Sequence, residues 1–287
     1  MVNNLGWSWR ATTRAAQKLP PDVNKILEDA FLREAYVVRN YAVPPELRVN
    51  TDQTQTVYQH GNKATWHQRG DKQVGAVGKD EKCAFTLIPS VSASGNVLPF
   101  QAIFQGATVA SCPHKESPYY EEAMNLGFKL EPSKSSTYWS TLDTMKSLVN
   151  EIIAPYFERK KGELGIECPE EQRSIWKIDC WSVHKSEGFL GWMKKTHPNI
   201  ILIFVPGNCT SVFQPLDVGV QRVLEQSFKR SAHADIVAEI SGKLAAGGSV
   251  TLDTSLPVLR DRALGWIVKA YHDINKPALV KKVNIPC

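Results

Sequence analysis

The chain has 287 residues, 43% of them hydrophobic, which is ample for one large buried core or two small ones. Its formal charge of +5 and pI near 8.8 suit a nucleic-acid partner without requiring one. The six cysteines, at positions 83, 112, 168, 180, 209 and 287, form no C-x-x-C pair and have no paired histidine spacing, which argues against a structural zinc site and a secreted disulfide scaffold.

Residues 1–45 read as a helical extension. ATTRAAQKLP is a short Ala-rich segment stopped by Pro20 and Pro21. Ile26, Leu27, Ala30, Phe31, Ala35, Tyr36 and Val37 then fall on one face of a helix expected to pack on the next domain. From residue 46 the texture turns to strands: LRVNT, then KCAFTLIPSVS from Lys82, then NVLPFQAIFQG from Asn96. Gly95-Asn96 predicts that the last two form an antiparallel hairpin. Residues 105–140, rich in Ser, Pro, Tyr and Gly, predict an irregular excursion. A helix follows, with Ser140 as N-cap, Asp143 three residues on, an apolar stripe from Leu142 to Tyr156, and Pro155 limiting its end.

Beyond a polar loop at 162–173, SIWKID reads as a buried strand, SEGFLGWMKKTH as a helix and NIILIFV as a second strand, which together make a parallel crossover. Pro215 opens a long helix with Leu216, Val220, Val223, Leu224 and Phe228 on one face. Gly247-Gly248 breaks it, and LPVLRDRALGWIVKAYHDI forms a shorter helix in a tail spanning 246–287. This order predicts an α/β fold for residues 46–245, a mixed sheet flanked by helices. No apolar run approaches the ~20 residues that cross a bilayer. MVNNLGWSWRATTR also lacks the basic, apolar, small-residue order of a signal peptide, so a soluble intracellular protein with no membrane association is expected.

Asp52, Asp179 and Asp217 each stand where a predicted strand ends or a helix begins. Singly, turn chemistry explains Asp52 and a helix dipole explains Asp217. Asp179, flush against the apolar run IWKI, needs a partner or a cation to offset its desolvation. Carboxylates at one sheet edge form the oxygen-rich cluster that hard divalent cations prefer, and two such ions can activate a water or hydroxyl and stabilise the leaving oxygen of a phosphodiester. His184, five residues after Asp179, is either an accessory to such a site or a packed histidine. Asn208 and Thr210 are loop residues that fit DNA-backbone contact and ordinary turn chemistry equally. Lys185, Arg222, Lys229 and Arg230 are candidates for a phosphate track, against the simpler reading of solvated helix faces. Trp66 and Trp139, in loop-like segments, are candidates for stacking on an unpaired base, with core packing as the rival.

The strings NTDQTQT, DCWSVH and VPGNCTSVFQPLDVGVQ resemble the three signature segments of DDE-type transposases of the pogo and centromere-protein-B-related branch of the mariner-like group. The matching positions are Asp52, Asp179 with His184, and Asp217 after Gln214-Pro215-Leu216, and Gln53 departs from the Glu that many relatives carry after the first Asp. The resemblance implies a ribonuclease-H-like catalytic domain that cleaves and joins DNA strands. It also implies that Asp52, Asp179 and Asp217 hold two Mg2+ ions, with Mn2+ as a substitute, and that no small-molecule cofactor is used. A homodimer on DNA and a nuclear location are implied as well. In that family the region before residue 46 resembles a connector from an upstream helix-turn-helix module. Two rivals stand beside this reading: a domesticated or relic non-catalytic nucleic-acid-binding protein that keeps the fold, and a nuclease on the same fold acting on RNA or RNA·DNA hybrids.

Overall fold

The computed structural model describes residues 7–11, 19–58, 64–68, 84–247 and 251–283. Strands Arg48–Thr51 (β2) and Thr54–Val57 (β3) run as one line against Ala84–Ile88 (β5) and Ser90–Ser92 (β6). The pairings Val57 with Ala84, Thr54 with Leu87, Thr51 with Ser90 and Val49 with Ser92 keep a single antiparallel register across the gap between them. The gap lies where Asp52 faces Pro89. The Asp52 N–H donates to the Pro89 carbonyl at 3.2 Å, but proline has no N–H to return the bond, so the ladder opens at the first candidate carboxylate.

Gln101–Phe104 (β7) continues the sheet antiparallel to β5, and Lys129–Pro132 (β8) runs parallel to β7. On the other side of β2, Ser174–Ile178 (β9) and Ile200–Phe204 (β10) both run parallel to it. Two strands antiparallel in succession on one flank of the line carrying Asp52, and two parallel strands on the other, make the expected ribonuclease-H-like sheet. The predicted hairpin is present, turning at Gly95, whose φ of +102° only glycine adopts readily. The predicted crossover is also present, with helix Glu187–Thr196 (α5) between β9 and β10.

Both faces of the sheet are covered, as strands apolar on both sides require. Ala102 and Phe104 turn to one core, together with Phe85, Leu87, helix Gln221–Ala245 (α7) and helix Leu256–Ile274 (α8). Ile103 turns to the other, with Ile175, Trp176, Ile178 and helices Leu142–Leu148 (α3), Ala154–Glu163 (α4) and α5. The alternation along β7 is the period-two signature of a strand.

Several expectations are corrected. Trp7–Ala11 is a strand (β1) paired antiparallel with Ala64–Gln68 (β4), so part of the N-terminal region read as helical is sheet, and Trp66 lies in a strand opposite Trp9 rather than in a loop. Most of the Ala-rich segment, residues 12–18, lies outside the described residues. Helix Val23–Asn40 (α1) forms as expected, but only Ala30 on it is fully buried, and Phe31 and Tyr36 of its apolar set are exposed. Residues 105–140 hold a short helix, Tyr120–Asn125 (α2), and β8, which low periodicity concealed. The N-cap of α3 is Thr141, not Ser140; its side chain and that of Thr144 form a reciprocal capping box. Pro155 does not end the helix. A π-turn at Val149–Ile153 joins α3 to α4, and the wider i→i+5 spacing lets the chain pass through a residue that lacks an N–H. A final helix, Pro277–Val283 (α9), follows α8 within the expected tail.

Candidate active site

Because β2 and β9 are parallel neighbours in the register Asn50 with Lys177, the residues just beyond their ends, Asp52 and Asp179, emerge at the same end of the sheet. The third segment is brought there by a buried side chain. Asn50 donates through Nδ2 to the Lys177 carbonyl at 3.2 Å and accepts at Oδ1 from the Leu216 N–H at 3.1 Å, tying β2, β9 and the start of the Asp217 helix together. Gln214 adds a second tie, Nε2 to the Thr51 carbonyl at 3.4 Å. The approach to Asp217 is therefore anchored by amides, and Asp217 itself lies in a π-turn, Leu216–Val220, that precedes α7. The strand carrying Asp52 is further fixed by Trp176, whose Nε1–H donates to Thr51 Oγ1 at 2.7 Å.

The three carboxylates act on one another electrostatically. Burial, then Asp217, and to a smaller degree Asp179, push the Asp52 carboxyl up to about 8, while the Gln53 backbone N–H and the Gln214 amide pull it down. Asp217 is also raised, first by burial and then by Asp179. Asp179 is held differently. Its Oδ1 lies 2.9 Å from His184 Nδ1, and it also accepts from the Trp181 N–H at 3.4 Å.

Three carboxylates are an all-oxygen donor set suited to a hard divalent ion, and their mutual destabilisation is what such an ion would relieve. Among the described residues, however, no group of three or more His, Cys, Asp or Glu side chains stands in metal-ligating geometry. Asp179 is engaged with His184 instead.

The other candidates divide. His184 is buried and packed, bridging Asp179 and Gln53. Asn208, exposed with φ of +60°, and Thr210, first residue of the short helix Thr210–Phe213 (α6), lie in the segment leaving β10 at the same sheet end. Lys185 and Arg222 are exposed. Lys229 pairs with Glu225 one turn back at 3.4 Å, and Arg230 reaches across to Asp273 of α8, so both take part in ties within the helical layer. Trp139 is 42% exposed, leans on Tyr138 with ring centroids 5.1 Å apart, and precedes Ser140, which donates to Gln53 at 2.7 Å. Asn50 and Gln214 were missed as site-building residues. The signal was present as a polar amide within LRVNT and another before PLD, but only tertiary contact assigns them a partner.

Residues 82–282 match the model of the DDE superfamily endonuclease family, a span that includes Asp179 and Asp217 and begins after Asp52. No curated protein sequence matches the chain. Among solved structures, the catalytic domain of Mos1 mariner transposase aligns over 93% of this chain and 96% of that one, at 9% identity and a TM-score of 0.42. The Mos1 mariner paired end complex with Mn aligns over 92% of this chain at 10% identity and a TM-score of 0.41, and the Mos1 strand transfer complex over 92% at 10% and 0.39. The chain covers 64% of the protein in each of those two complexes.

Proposed function

Since this chain belongs to the DDE superfamily endonuclease family, we propose that it is the catalytic domain of a DDE-type transposase, cleaving and joining DNA strands with divalent cations. The observation that supports the reading is that Asp52, Asp179 and Asp217 stand near one end of the sheet, where burial and like charge raise Asp52 and Asp217. Asp52, Asp179 and Asp217 would hold the metal, two Mg2+ ions or Mn2+ in their place. When bound, the ions would supply a polarised nucleophile and charge stabilisation of the leaving oxygen. The chain's own part is to bring the carboxylates together through Asn50 and Gln214, and to keep Asp179 oriented through His184. Exposed Lys185, Arg222 and Trp139 are free to meet a phosphate backbone or an unpaired base in this reading. Action as a homodimer on DNA and in the nucleus extends the same reading and rests on the family resemblance.

The test is cleavage of a pre-nicked DNA duplex with Mg2+ or Mn2+. Asp179→Asn removes a charge at nearly constant shape, so cleavage should fall by roughly 10³-fold or more, the scale on which loss of one charge-stabilising group is felt. Folding and DNA affinity should stay close to wild type. A wild-type protein inert with either metal would turn the assignment to a non-catalytic DNA-binding role.

A further inference from the structure

A chain of side-chain bonds runs from Ser140 through Gln53 and His184 to Asp179, and its polarity can be read from the atoms alone. The Ser140 hydroxyl donates to Gln53 Oε1 at 2.7 Å. The Gln53 Nε2 faces Met145 Sδ at 3.6 Å and His184 Nε2 at 3.3 Å. A thioether can only accept, so the amide nitrogen, not its oxygen, belongs on that side. At the far end, His184 Nδ1 faces two acceptors, the Asp179 carbonyl at 3.1 Å and Asp179 Oδ1 at 2.9 Å, so Nδ1 must carry a proton. With Nδ1 facing two acceptors and Nε2 facing an amide N–H, this bonding pattern is that of the Nδ1–H tautomer. His184 is 2% exposed and Ser140 4%, while Gln53 and Asp179 are half-buried, so the histidine at the centre of the chain is the part most shielded from water.

We propose that Gln53 and Ser140 act as positioning residues, fixing His184 in the Nδ1–H tautomer so that it holds the Asp179 carboxylate in one orientation. This rests on the reading of Asp179 as a metal-binding carboxylate of a DNA-cleaving site. The arrangement joins the residue after the first aspartate, the loop ahead of α3 and the residue five after the second aspartate. The position after the first aspartate therefore acts on the second. An acceptor such as Glu at position 53 could not donate to His184 Nε2 as the Gln53 amide does, so the residue at 53 bears on how the histidine is held against Asp179.

The wild-type protein labelled with 15N-histidine, observed near neutral pH by long-range 1H–15N correlation, should show His184 with Nδ1 protonated and Nε2 bare, the signal being assigned by its loss in His184→Asn. An Nε2–H tautomer or a doubly protonated ring would overturn the proposal. Calorimetric titration with Mn2+ supplies a second readout. His184→Ala should weaken binding by about 10–100-fold, the usual cost of losing a residue that orients a ligand. His184→Asn, whose amide nitrogen stands close to where Nδ1 stood, should recover most of it. Cleavage at saturating DNA should follow the same order while DNA affinity stays level. Folded Ala and Asn variants that behave alike, whether both impaired or both unimpaired, would refute the role. Should wild-type protein fail to cleave at all, the proposed function falls, and the tautomer and Mn2+ measurements still decide this inference.

Discussion

Two groups of carboxylates in this molecule are treated in opposite ways. Along the seam between α7 and α8 each acid has a partner: Asp273 accepts from Ser227 and pairs with Arg230, Glu239 pairs with Lys243 and Arg262, and Asp235 accepts from Trp266 Nε1. The Glu239 carboxyl is accordingly lowered, the hydrogen bond from Lys243 being the main cause. At the end of the sheet, Asp52 and Asp217 are half-buried beside like charge and raised, desolvation being the first cause. A fold that needs only stability neutralises its acids. Acids held beside like charge cost stability, and that cost is understandable where a ligand is to supply the balancing charge.

The seam should prove the stability-bearing half. Leu264→Ala, at a fully buried position in α8, removes packing from the core shared with α7 and should cost about 2–5 kcal/mol in chemical denaturation. Mn2+ affinity per folded molecule should not change. A variant that lost metal binding before it lost stability would dissolve the distinction between the two regions.

At the sheet end the sign of the pH dependence is set by Asp52. Its folded pKa of about 8 lies above the ordinary 3.8, so between those values the folded state holds a proton that the unfolded state has released. Stability therefore falls as pH rises through this window, and the loss is complete above about pH 8. Asp52→Asn should raise the thermal midpoint by several degrees at about pH 8 and hardly at all near pH 4. Equal effects at both values would show that Asp52 is not the strained group.

Mg2+ or Mn2+ should stabilise the wild type through the same groups, by about 2.7 kcal/mol at a hundredfold excess over Kd. The gain should reverse with chelator and be absent in Asp179→Asn, whereas variants of the seam keep it. The smallest effect should be that of Asp273→Asn. The amide retains a partner for Ser227 and loses only the charge opposite a largely exposed Arg230, so a destabilisation of about 0.2–1 kcal/mol is expected from urea unfolding.

Much of the sheet was legible because its strands are short apolar runs bounded by turn residues. SIWKI, IILIF and the Gly95 hairpin all form as expected, and the crossover between β9 and β10 follows from their spacing. The helix through Pro155 was not legible, because a π-turn leaves no mark in periodicity until the backbone bonds are seen. Strand β8 was hidden too: a four-residue edge partner in a polar stretch gains its identity from β7, not from its own residues.

The same division holds for the candidate site. Residue type and order alone marked Asp52, Asp179 and Asp217, since acids beside strand ends and a helix start are local features, and local features are what a sequence encodes directly. Only the tertiary structure decided which neighbours give those acids their properties. Asn50 meets Leu216 across 166 residues of sequence and Gln53 meets His184 across 131. The shifts of Asp52 and Asp217 arise from burial and from charges brought close by the sheet, and such through-space terms depend on distances that no spacing along the chain contains.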